Sequence, residues 1–73
     1  MITIDARGHR CPVPTLRLRK ALETAGSGEE VLLMADDPMA RIDVPHFAST
    51  NGHVLVQVED RGPAVAFTVR KGA

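Results

Sequence analysis

The sequence predicts a single α/β domain: a two-layer sandwich in the order β-α-β-α-β-β, with both helices on one face of a four-stranded mixed sheet. Three observations predict it. Segments with β-type patterning alternate with stretches of helical periodicity across only 73 residues, a length that makes one small domain (1–73). Two proline-marked helix starts, at Pro12 and Pro38, separate those segments. A turn-rich stretch, Glu59-Asp60-Arg61-Gly62-Pro63, joins the last two β segments as a hairpin would. Two helical crossovers imply parallel pairings, and right-handed crossovers place both helices on the same side of the sheet.

Each element follows from local chemistry. Ile2-Thr3-Ile4-Asp5 alternates apolar and polar residues, as a short half-buried strand does. Arg7-Gly8-His9-Arg10 is then a loop, with Gly8 free to adopt a turn conformation closed to other residues. The first helix is expected over 12–25, stopping at Gly26, with Pro14, Leu18, Ala21, Leu22 and Ala25 on one buried face. Glu30-Val31-Leu32-Leu33-Met34-Ala35 reads as a central strand. Asp37 and Pro38 are the expected cap and first residue of a second helix, which Val44-Pro45 should break, with a new start capped by Asp43. Ile42, Val44, Phe47 and Ala48 are its expected inward residues, and Asn51-Gly52 closes it. Val54, Val56 and Val58 alternate with Leu55 and Gln57 in the third strand, and 64–70 forms the fourth.

Composition narrows the chemistry. The chain is 44% hydrophobic, with two Phe and neither Trp nor Tyr, so its core must be aliphatic. A single cysteine excludes an internal disulfide, and packing must supply the stability. No apolar run is long enough for a bilayer, and Met1-Ile2-Thr3-Ile4 is followed by charge rather than a signal-peptide core, so a soluble cytoplasmic protein is expected. The formal net charge is zero but unevenly spread. Residues 1–20 carry Arg7, Arg10, Arg17, Arg19 and Lys20 against Asp5, a net +4, whereas residues 21–60 carry eight acids against Arg41, a net −7.

The basic half also holds the one thiol. Cys11 precedes Pro12-Val13-Pro14 and reads as an N-cap, where free helix amides and the positive end of the dipole favour thiolate over thiol. Arg7 and Arg10 just upstream add charge of the same sense. The prolines remove N–H groups and stiffen the turn, which holds the sulfur outward. Asp5 is placed to orient the loop by accepting backbone or arginine hydrogen bonds. Leu16 falls ~160° from Leu18 on the helical wheel, among Arg19, Lys20 and Glu23, and so is either a scattered exposed leucine or part of a partner-docking surface beside Cys11. His9 is either a proton shuttle or a loop histidine without a chemical role. His46 and His53 share no paired short ligand spacing with Cys11, so no metal is expected. Asp36, Asp37 and Asp43 could be read as paired catalytic carboxylates, but two of them, Asp37 and Asp43, are better explained as helix caps. A phosphate-binding glycine loop is absent, so any nucleotide-dependent activation would belong to a partner.

Asp5-x-x-Gly8-x-x-Cys11-Pro12-x-Pro14, Leu18-Arg19-Lys20, Asp36-Asp37-Pro38, Asp43-Val44-Pro45-x-Phe47 and Gly52-His53 together resemble the TusA/SirA-like family of sulfur carrier proteins, across nearly the whole chain. The resemblance implies the same β-α-β-α-β-β sandwich. It also implies a carrier-type sulfurtransferase whose Cys11 holds sulfane sulfur as a transient persulfide, without any cofactor. The implied partners are a sulfur donor, a cysteine desulfurase or rhodanese-like protein, and a downstream acceptor protein, in one branch on the way to tRNA uridine thiolation. Neither direct nucleic-acid nor membrane binding is implied, and a monomer is expected. Leu16, Arg19, Lys20 and Asp37 are the candidate partner-binding residues. Several family members carry a second cysteine where this chain has Ala48, so an intramolecular resolving thiol is excluded here. The alternative reading is a non-catalytic module binding RNA or protein through the basic face of the first helix. Two Phe residues that both look like core speak against base stacking.

Overall fold

The computed structural model describes residues 2–10 and 12–72. Six elements follow in order: β1 (Ile2–Asp5), α1 (Val13–Thr24), β2 (Glu30–Ala35), α2 (Ala40–Thr50), β3 (Val54–Arg61) and β4 (Ala64–Arg70). They form the expected α/β sandwich, with an open four-stranded sheet ordered β1-β2-β4-β3. β1 runs parallel to β2, and β4 runs antiparallel to both of its neighbours. The β3–β4 hairpin inserts its second strand into the middle of the sheet. The second crossover therefore leaves β3 pointing the same way as β2 but one strand away, so only one of the two expected parallel pairings is direct.

The register aligns the apolar positions in rows. Ile4 pairs with Leu33 and Leu33 with Phe67, while Ile2, Val31 and Val69 form the next row and Ala35 pairs with Val65. Strand side chains alternate between faces, so these residues share the face that Leu18 and Leu22 of α1 and Val44 and Ala48 of α2 cover. β4 lies between two strands and is buried from Ala64 through Phe67 and at Val69. The core is aliphatic around Phe67, and no polar or charged residue is buried among the described residues.

α1 starts at Val13, one residue later than expected. A turn closed by the Val13 N–H to the Arg10 carbonyl (2.9 Å) leads into it, and Pro12 occupies the cap position with its carbonyl accepting from the Leu16 N–H (2.9 Å). The expected N-cap role of Cys11 is thereby displaced to Pro12, while Cys11 itself lies outside the described residues. Pro14, Leu18 and Leu22 are buried at the four-residue spacing of one helical face. The helix ends at Thr24 rather than Gly26, because Ala25 already turns extended at ψ 151°.

α2 is one continuous helix, not two pieces. Pro45 lies inside it and removes a single hydrogen bond, the one its N–H would have made to the Arg41 carbonyl, while buried Val44 and Ala48 hold the helix on either side. Asp43 consequently sits in the first turn of an intact helix rather than capping a second one. Asp37 accepts the Met39 N–H on Oδ1 at 3.0 Å, and Met39 is the cap residue, so Asp37 and Pro38 form the turn before the helix. With Ala40, Val44 and Ala48 inward at i, i+4 and i+8, Ile42 is rotated ~200° from Ala40 and is 64% exposed, contrary to its expected burial.

β3 is an edge strand whose simple alternation fails at a bulge. The register shifts between Leu55 and Gln57, leaving Val56 unpaired, and Val54, Val56 and Val58 are all largely exposed. The strand also runs further than expected. Glu59, Asp60 and Arg61 pair with Ala66, Val65 and Ala64, and the turn contracts to Gly62-Pro63. Gly62 has φ +66°, the sign a two-residue hairpin turn requires at its first central position.

Candidate functional site

The candidate site is the loop between β1 and α1 with the two surfaces that flank it. Cys11 lies outside the described residues, so the site is built from its neighbours. The loop's backbone is closely accounted for. Ala6 N–H continues the β1–β2 ladder to the Met34 carbonyl (2.8 Å), and His9 N–H turns back to the Ala6 carbonyl (3.2 Å). Between them Arg7 N–H donates to Asp5 Oδ1 (3.1 Å), and Gly8 N–H donates to both oxygens of Asp36 (2.9 and 3.1 Å). Gly8 has φ +84°, which lets the chain reverse between these anchors.

The Asp5 carboxylate also receives the Arg7 guanidinium, at 2.8 Å from Nε and 2.7 Å from Nη2. Those bonds, then the Arg7 backbone N–H, hold the Asp5 carboxyl well below the usual carboxylate range, and Asp5 in turn raises the pKa of Arg7. Arg17 Nη1 ties the same corner to α1 by donating to the Asp5 carbonyl at 2.9 Å. Arg7 is thus committed to an ion pair with Asp5, which offsets its charge. Arg10 is the loop arginine that no carboxylate pairs with among the described residues.

Two open grooves border the described residues of this loop and the start of α1. Gly8, His9 and Arg10 face Asp36, Asp37 and Met39 across a groove of about 570 Å³. Pro12 and Thr15 face Asp43, His46 and Phe47 across another of about 280 Å³ between the helices. Arg10 borders the first and Pro12 the second, so in sequence the lining residues of the two grooves flank position 11. Of the two motif prolines, Pro12 is exposed and Pro14 is buried as part of the α1 packing face.

The outward face of α1 carries Leu16, 54% exposed, with Arg19 and Lys20 on either side of it. Arg19 makes an i,i+4 pair with Glu23 at 3.7 Å, whereas Lys20 borders a separate surface with Ile4 and Arg17. Asp37 lies across the first groove from Arg10, so the structure does not bring the four candidate partner-binding residues together on one surface. His9 and His46 are exposed, one in each groove. His53 serves the fold instead. Its Nδ1 accepts the Gly72 N–H at 3.0 Å, and its ring lies 5.7 Å from that of Phe47. Among the described residues no cluster of three or more His, Cys, Asp or Glu could hold a metal ion. No helix is long and apolar enough to cross a membrane among the described residues.

Asp36 is the residue whose place sequence reasoning missed, having read it only as part of the Asp36-Asp37-Pro38 stretch that ends the second strand. A signal existed in the parallel register. Asp5 stands opposite Met34, so the residue two past Met34 falls beside the residues that follow Asp5.

A model of the family described as "Sulfurtransferase TusA" matches residues 2–71 of the chain. Among solved structures, the crystal structure of a SirA-like protein from Desulfitobacterium hafniense superposes with a TM-score of 0.86 at 32% sequence identity, covering 100% of both chains.

Proposed function

The chain belongs to the TusA sulfurtransferase family, and from that premise we propose that it is a protein-borne sulfur carrier in which Cys11 is the only covalent station. The Cys11 thiolate attacks the outer sulfur of a donor persulfide, the donor's own thiolate leaves, and Cys11–S–SH results. An acceptor thiolate then attacks that outer sulfur and regenerates the Cys11 thiolate. Both steps exchange one sulfur–sulfur bond for another, so the protein needs thiolate character and access more than catalytic machinery.

The match over 2–71, with the Cys11-Pro12-x-Pro14 element inside it, carries this reading. The site geometry supports it. Arg10, with which no carboxylate pairs among the described residues, supplies positive charge next to position 11 in sequence, and the grooves bordered by Arg10 and Pro12 leave room for a partner. The donor is a cysteine desulfurase or rhodanese-like protein and the acceptor another protein, with tRNA uridine thiolation as one destination for the sulfur. The carrier works as a cytoplasmic monomer, and Leu16, Arg19, Lys20 and Asp37 contact its partners. An RNA-binding role has less support: Phe67 is fully buried and Phe47 packs on the core, which leaves no exposed aromatic for base stacking among the described residues.

Intact mass after incubation with a cysteine desulfurase and cysteine tests the proposal. A gain of about 32 Da that reductant removes, and that Cys11→Ser abolishes, is the expected result. No adduct with either a desulfurase or a rhodanese-like donor would overturn it.

A further inference from the structure

Asp36 takes no part in the exchange of sulfur, yet it fastens the loop that leads to Cys11. It is the first residue after β2, a strand paired on both sides, so its backbone has a fixed place. Both of its oxygens accept the Gly8 N–H, across 28 positions of sequence. A β-carbon at Gly8 would meet nothing within 4 Å, so at Gly8 itself the chain is held by these hydrogen bonds rather than by close packing. The neighbouring loop amides are satisfied locally, Arg7 by Asp5 and His9 by Ala6. The Asp36 contact instead ties Gly8 to the segment that follows β2, beyond the Ala6–Met34 bond of the ladder.

We propose that Asp36 is a positioning residue for sulfur transfer: by receiving the Gly8 N–H it sets the path of residues 8–10, and with it the direction from which a partner's sulfur meets position 11. This inference rests on the reading of Cys11 as the sulfur-bearing residue. Exchange at sulfur requires the attacking thiolate to align with the bond that breaks, and two docked proteins cannot readily reorient to find that line. A small alkylating agent has no such constraint. Loss of positioning therefore slows transfer between proteins while leaving the intrinsic reactivity of the thiol nearly unchanged. Loss of a charge effect would instead move the pH profile of alkylation.

Three variants separate these cases, each checked for an intact fold by its amide spectrum. Asp36→Asn keeps an acceptor oxygen in place without the charge, Asp36→Glu keeps the charge but displaces it by a methylene, and Asp36→Ala removes both. With a cysteine desulfurase and cysteine as sulfur source, Asp36→Ala is expected to lower kcat/KM for persulfide formation by about tenfold. Its alkylation by iodoacetamide should stay within about twofold of wild type across pH. Asp36→Asn should recover most of the transfer rate and Asp36→Glu less of it. Transfer by Asp36→Ala at the wild-type rate overturns the proposal, as does Asp36→Glu behaving as wild type while Asp36→Asn fails. Should the wild-type protein itself take up no sulfur, the reading of Cys11 falls and the proposal with it. Normal wild-type uptake with an unaffected Asp36→Ala overturns the positioning role alone.

Discussion

Gly72 lies so close to the Gly52 carbonyl that a β-carbon on Gly72 would overlap that oxygen. The approach lets the Gly72 N–H reach His53 Nδ1 (3.0 Å), while Lys71 Nζ donates to the Ala25 carbonyl (2.9 Å) and the Lys71 backbone pairs with Glu29 and Gly28. The segment after β4 thus straps the end of α1 and the start of β2 to the α2–β3 turn. Gly72→Ala must push the strap away or strain it, and either outcome is expected to cost about 1–3 kcal/mol. Urea denaturation checks this: the midpoint should fall with an unchanged slope. A midpoint equal to that of wild type would show that the strap contributes no stability.

The Asp5–Arg7 pair predicts a specific acid limb of stability. Its folded-state pKa lies below that of the unfolded chain, so at low pH the unfolded state binds more protons and stability rises with pH. The contribution is therefore complete above roughly pH 4, the ordinary aspartate range, and is lost as the pH falls toward the depressed folded value. Asp5→Asn should lose stability at neutral pH and converge on wild type in strong acid. Denaturation midpoints measured from pH 7 down to pH 2 give the comparison; a constant difference between the two proteins would refute the linkage.

Gly8 separates conformational demand from steric demand. Its φ of +84° strains any residue with a β-carbon, while the space beside it is open. Gly8→Ala is expected to destabilise the protein by about 1 kcal/mol, and Gly8→Asn by less, since asparagine tolerates the left-handed region better. Equal losses for the two, read from thermal unfolding, would mean that packing and not backbone conformation sets the requirement.

The features that the sequence disclosed are those set by local chemistry. The Pro14, Leu18 and Leu22 face follows from helical spacing, and the limits of β1, β2 and β4 follow from strand patterning. Errors arose where long-range packing overrode a local rule. Pro45 looked like a helix break, but burial of Val44 and Ala48 on either side keeps α2 continuous, and that continuity turns Ile42 outward. The bulge at Val56 and the placing of β4 between β2 and β3 depend on partner strands and leave no mark in a single strand's pattern. At the candidate site the thiol motif was plain in the sequence. The allocation of charge was not: Arg7 and Arg10 look equivalent along the chain, and only the fold commits Arg7 to Asp5 and joins Asp36 to Gly8.

Leu16 and Leu18 are two residues apart on α1 and have opposite surroundings, and this contrast yields the sharpest test of the docking face. Leu18 is fully buried in the core, so Leu18→Ala leaves a cavity and is expected to cost about 2–5 kcal/mol, a large share of the stability of so small a domain. Leu16 is 54% exposed with Arg19 and Lys20 beside it, so Leu16→Ala should change stability by less than about 0.5 kcal/mol. If this face docks the sulfur donor, Leu16→Ala should instead raise KM for the donor several-fold, since an exposed apolar side chain gains its burial only in the complex. Reversing the charge of Lys20 should slow association in a salt-dependent way, because a flanking charge acts mainly on encounter. Donor kinetics for Leu16→Ala at two ionic strengths, alongside its urea midpoint, decide the matter. A stable Leu16→Ala with wild-type KM would remove this helix face from the docking surface and leave the grooves beside Arg10 and Pro12 as the places where partners meet the chain.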